Sequence, residues 1–158
     1  MSTSLKRKDL RSIHDWLAAG FGSGLAPKAP GTFGTLAALP LVCLMMLLDP
    51  IWQVSLILLG FIYGCYCCER LTKQLKVHDH GGIVWDEFIG FAITCFALPL
   101  SWFTVLIAFI LFRLFDVIKP WPIKWFDRKV HGGFGIMLDD VLAGVMAAVL
   151  MHFIFGTI

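Results

Sequence analysis

Residues 86–119 read DEFIGFAITCFALPLSWFTVLIAFILFRLFDVIK, an apolar run closed at both ends by acids and bases. As one long helix, the stretch would carry its charged ends to opposite faces of a membrane. Folded at Pro99 and Ser101, it instead returns Arg113, Asp116 and Lys119 to the level of Asp86 and Glu87. Charge placement favours the fold, because Lys and Arg resist translocation and no cation stands near the tip. Counted from Leu100, Asp86 lies fourteen residues back and Arg113 thirteen forward. At about 1.5 Å of rise per residue, both stand roughly 20 Å from the tip, at one depth.

The same pattern extends over the whole chain. Apolar runs cover residues 33–48, 51–68, 83–100, 102–118 and 141–158, and only Asp49 and Pro50 separate the first two. Once both tips face one way, all thirteen Lys and Arg fall at the opposite, cytoplasmic side. With 58% hydrophobic and 15% charged residues, the chain departs from the roughly one-quarter charge of a soluble domain. The expected fold is all-α: a multi-pass (polytopic) membrane helical bundle of about five apolar helices, forming a single domain over residues 1–158. Residues 5–16 add an N-terminal basic amphipathic helix lying on the inner leaflet. Runs of 16–18 residues are short for a hydrocarbon core near 30 Å, implying thin membrane or partly embedded segments. Residues 1–8 are polar and lack the apolar core of a removable signal. One-sided positive charge suits anionic lipid headgroups and gives no reason to expect nucleic acid as a partner.

The five cysteines lie inside apolar runs and behave as small hydrophobes. Cys65 stands one residue too close to Arg70 for a Cys-x5-Arg phosphatase loop, and no nearby His or second pair completes a metal site.

Ionisable groups at the ends of apolar spans ask for a reason. Asp86 and Glu87 open the third run, and Asp139 and Asp140 open the last after HGGFGIML. Arg113, Asp116 and Lys119 recur at i, i+3 and i+6 on one helical face. Helix-terminal charges, N-caps and a snorkelled ladder are the plain alternatives. As a functional set, Asp86, Glu87, Asp116, Asp139 and Asp140 are oxygen-only donors suited to Mg²⁺, with Arg113 and Lys119 as a phosphate clamp. Residues 20–35, GFGSGLAPKAPGTFGT, form a Gly- and Pro-rich loop that offers backbone N–H groups and Lys28 to an anion. The loop does not match a nucleotide-binding P-loop. Among the histidines, His78 and His80 stand nearest the Asp86 end, though loop solvation explains them as well; His152 sits on an apolar span.

Taken together, residues 20–40, VWDEFIG at 84–90 and FRLFDVIKPWPIKWFDRKVHGGFGIMLDDVLAG at 112–144 resemble the signature blocks of the bacterial phosphatidylglycerophosphatase A family. That resemblance implies a largely helical, Mg²⁺-dependent enzyme of the bacterial inner membrane. Its substrate would be a phospholipid in the bilayer, phosphatidylglycerophosphate, which would lose its terminal phosphate to give phosphatidylglycerol. By motif position it implies catalytic roles for Asp86, Glu87, Asp116, Asp139 and Asp140, with Glu87, Asp139, Asp140 and Asp86 on the metal. Arg113, Lys119, Thr32 and Thr35, with Lys28 from the reading of the loop itself, are the residues expected to bind phosphate. Neither an aspartyl-phosphate motif nor a histidine-nucleophile arrangement is present in the sequence, which leaves metal-assisted hydrolysis. Two alternatives remain open: a phosphatase for another lipid phosphomonoester, and a non-enzymatic transport or scaffold subunit. Oligomeric state is open as well.

Overall fold

Proline sets the starts of the two helices that make the first hairpin. Each sits at the first helical position, where its fixed φ is preorganised and its missing N–H costs nothing. In the computed structural model, which describes residues 4–77 and 80–156, α2 runs Pro30–Met45 and α3 runs Pro50–Leu75. The remaining helices are α1 (Ile13–Ala18), α4 (Trp85–Thr94), α5 (Trp102–Ile118), α6 (Ile123–Lys129) and α7 (Gly132–Phe155), with 3-10 turns at Arg7–Asp9 and Gly20–Leu25. No strand occurs among the described residues.

The N-terminal segment is not the single amphipathic helix expected over 5–16. Ser12 accepts the Asp15 N–H, and the Asp15 carboxylate takes the Arg11 and Ser12 N–H groups, a capping box that starts a fresh helix at Ile13. Asp15 is fully buried and lies 3.4 Å from Arg70 of α3.

The second hairpin forms as charge placement required, but its first arm is short. Helix α4 stops at Thr94, so the expected span over 83–100 is corrected to ten helical residues, about 15 Å of rise. Beyond it Ala97 adopts a left-handed φ of 53°. Its N–H is taken by Gln53 Oε1 at 2.9 Å, while Gln53 Nε2 donates to Leu48 O at 2.9 Å. One buried side chain on α3 therefore ties the 48–50 tip to the 95–101 tip, which fixes both at the same end of the molecule. Ser101 then caps α5 by accepting the Thr104 N–H at 3.0 Å. Cross-contacts run antiparallel about residue 100: Phe91 meets Phe109 with ring centroids 6.3 Å apart, and Glu87 meets Arg113 at 3.8 Å.

By length and composition, α3 and α7 are the described helices able to cross a membrane, with mean hydropathy 1.7 and 1.9. Five full spans are therefore more than the helix lengths give. Helix α2 is apolar but shorter, and α4 is a half-length helix enclosed by α2, α3, α5 and α7. The outer faces expose large apolar side chains such as Leu59, Ile62, Trp102, Ile110 and Phe153, of the kind that mark a membrane or protein interaction surface.

Candidate active site

Two glycines decide where the carboxylates meet. A Cβ at Gly144 on α7 would strike the Gly90 carbonyl of α4, and a Cβ at Gly90 would come within 2.6 Å of the Asp140 carbonyl. Backbones thus touch where side chains are absent, and Thr94 Oγ1 donates to Gly90 O at 2.9 Å beside the same contact. One turn from Gly90 stands Asp86, and one turn from Gly144 stands Asp140. The crossing therefore brings Asp86, Glu87 and Asp140 together at its charged end. Helix α5 supplies Arg113, Asp116 and Lys119 opposite them, and the start of α2 supplies Pro30 and Gly31. All line one cavity of about 320 Å³, together with Asp139.

One carboxylate oxygen from each of Asp86, Glu87 and Asp140 lies within 4.8 Å of the others, and all three side chains are buried. Glu87 Oε2 and Asp140 Oδ2 are buried without a hydrogen-bond partner. Like charges this close are costly unless a proton or a cation is shared between them. The donor set is all oxygen, and Gly31 keeps its approach open, since a Cβ there would collide with Glu87 Oε1. These residues fit Mg²⁺, a hard ion bound through a few carboxylates plus phosphate.

The cations are already engaged. Arg113 pairs with Asp116 one turn on and reaches Glu87 at 3.8 Å. Lys119, at the left-handed end of α5, donates to Asp139 Oδ2 at 2.9 Å and Asp127 Oδ1 at 3.0 Å. Burial disfavours the Lys119 charge, but the hydrogen bonds it donates to both aspartates outweigh that cost and hold the ammonium above its usual range. Asp139, expected on the metal, is instead turned to Lys119; the residues gathered are Asp86, Glu87 and Asp140. The physical reason is helical geometry, since adjacent residues on α7 point about 100° apart.

Lys28, Thr32 and Thr35, expected on the phosphate, do not line the cavity. Lys28 is exposed, Thr32 is part-exposed, and the buried Thr35 hydroxyl donates to Gly31 O at 3.0 Å inside its own helix. What reaches the site from this loop is the segment Ala29, Pro30 and Gly31. His78 lies outside the described residues; His80 accepts the Gly82 N–H at 3.1 Å beside the cavity wall. His14 is bonded to Tyr63, and His152 lies toward the far end of α7. Sequence reasoning passed over Asp127, which reads as surface charge in KWFDRK, and Gln53, whose only signal is an amide in an apolar run.

The molecule is thus a helical protein with an apolar exterior and a buried three-carboxylate centre flanked by ion-paired Arg and Lys. A model of the family described as Phosphatidylglycerophosphatase A matches residues 16–155. The chain is 52% identical over 150 residues to the Escherichia coli (strain K12) "Phosphatidylglycerophosphatase A", covering 92% of this chain and 86% of that protein. It is 50% identical over 149 residues to the Haemophilus influenzae protein of the same name, covering 93% and 91%. No solved structure matches. The chain belongs to the phosphatidylglycerophosphatase A family.

Proposed function

We propose that the chain hydrolyses the terminal phosphomonoester of phosphatidylglycerophosphate, giving phosphatidylglycerol and phosphate, at the cytoplasmic side of the bacterial inner membrane with Mg²⁺ as cofactor. The observation that carries this is the meeting of Asp86, Glu87 and Asp140 beside Arg113 in one cavity. Family membership and the names of the relatives supply the substrate.

Asp86, Glu87 and Asp140 would hold the ion. Mg²⁺, when bound, supplies charge against the phosphoryl oxygens and lowers the pKa of water. Arg113, oriented by Asp116, presents planar donors to the substrate phosphate, a match that a point charge cannot reproduce. Lys119 adds positive charge and holds one oxygen of Asp139, leaving Oδ1 buried without a hydrogen-bond partner. We assign that oxygen as the acceptor for the proton of the attacking water. The polar cavity takes the headgroup, and the lipid tails remain at the depth of the apolar helix faces.

The apolar exterior, the tips held together by Gln53 and the cations at the other end support a multi-pass placement with α2–α3 and α4–α5 as hairpins. One apolar cluster includes residues of α2, α4, α5 and α7, which supports a single domain. A transport or scaffold role would set charge near mid-depth, whereas these acids gather at one end.

The test is phosphate release from phosphatidylglycerophosphate in vesicles containing the full chain. Chelation should abolish release and Mg²⁺ restore it. Glu87→Gln and Asp140→Asn should each lower turnover by about 100-fold or more, since loss of mere supporting residues already costs 10- to 100-fold. Release indifferent to chelator would remove the metal; release only from other lipid phosphomonoesters would change the substrate.

A further inference from the structure

The α2 and α5 helices both extend beyond the polar cavity. Between them lies an apolar groove of about 730 Å³ that opens on the outer surface. Its walls belong to the same two helices whose ends line the cavity, through Gly31 on α2 and Arg113 on α5. Going away from the cavity, the groove is lined by Leu36, Leu39 and Cys43 on α2 as α5 contributes Phe109, Leu106 and Trp102. From Gly31 to Cys43 is twelve residues, about 18 Å of helix. That is close to one leaflet's share, about 15 Å, of the hydrocarbon core.

We propose that this groove binds an acyl chain of the substrate lipid, so that the substrate enters sideways from the bilayer between α2 and α5. The assignment rests on the phosphatase reading above. It commits to a fatty acyl chain because the groove is apolar along its length and Arg113 of the cavity stands one turn beyond its Phe109 end, the charge pattern of an anionic lipid. Leu36 and Leu106 are nearly half exposed, so the groove is open to lipid along its side. The other large apolar groove, between α2 and α3, does not offer this. At its site end Trp85 is stacked on Phe88 with centroids 5.1 Å apart and donates to Gly60 O at 3.0 Å. Helix α3, the groove's other wall, contributes no residue to the lining of the carboxylate cavity.

The experiment uses the full chain in vesicles with phosphatidylglycerophosphate carrying a photoreactive diazirine midway along an acyl chain. Label should map to peptides covering residues 36–43 and 102–109. Label on residues 56–63, or scattered over the lipid-facing surface, overturns the assignment. In parallel, Leu39→Trp and Leu106→Trp should lower kcat/KM for long-chain substrate about tenfold or more. Both should leave hydrolysis of a water-soluble analogue with acetyl chains unchanged, and Leu59→Trp in the other groove should leave both substrates unaffected. Equal losses on long and short substrates would overturn the groove. Absence of phosphate release from any lipid by the unaltered chain would instead defeat the phosphatase reading. The label map, read without turnover, still decides the groove, as it does should a Trp variant fail to fold.

Discussion

Lys119 is held between two aspartates, and the three groups form a bridge from α5 to α6 and α7. Replacing it with Met would strand a buried Asp139 oxygen, at a cost of about 1–3 kcal/mol. The Lys119 ammonium is held above its usual range, so its stabilisation is fully present below the unfolded value near pH 10.4 and is lost only as pH rises past the folded one. The difference in melting between wild type and Lys119→Met in detergent should therefore not shrink as pH rises from about 7 to 9. Asp139→Asn separates the roles of neighbouring acids. It should lower kcat about 100-fold while leaving the Mg²⁺ concentration for half activity nearly unchanged, whereas Asp140→Asn should raise that concentration. A matching shift in Mg²⁺ requirement for both would place Asp139 on the ion after all.

Helix α7 is held at two points, and both decide where its acids stand. Glu69 of α3 accepts the Gly133 N–H at 2.6 Å, serving an N-terminus whose own cap residue, His131, makes no side-chain capping bond. Further along, the Gly90–Gly144 contact sets the α4–α7 distance. Gly144→Leu should force those backbones apart, costing about 1–3 kcal/mol, and raise the Mg²⁺ requirement although no ligand is altered. At the opposite end, Gln53→Leu removes both partners of the tip bridge. Thermal unfolding in detergent should fall by about 1–3 kcal/mol, because the Ala97 N–H and Leu48 carbonyl lose their partners. Its phosphatase activity at low temperature should survive, since the tip is remote from the cavity.

For the molecule as a whole, the placement in the membrane is open to direct measurement. With native cysteines replaced, single Cys at Asp49 and Ser101 should both react with an impermeant thiol reagent applied from the periplasmic side. Cys at Lys8 or Lys124 should react only from the cytoplasmic side. Opposite accessibility of the two tips would contradict the Gln53 bridge that joins them.

Hydropathy and charge order were enough to make the chain helical, to fold residues 86–119 back on themselves and to set the acids at one end. Each of these follows from local chain chemistry: apolar runs need helices in lipid, and cations choose their side. Which acids share an ion, which one Lys119 takes and how far α4 extends follow from other facts. They depend on helix rotation, on two glycines that let α4 and α7 touch, and on Gln53 reaching across from α3. None of these leaves a periodic signal, because each is a contact between residues distant in the chain.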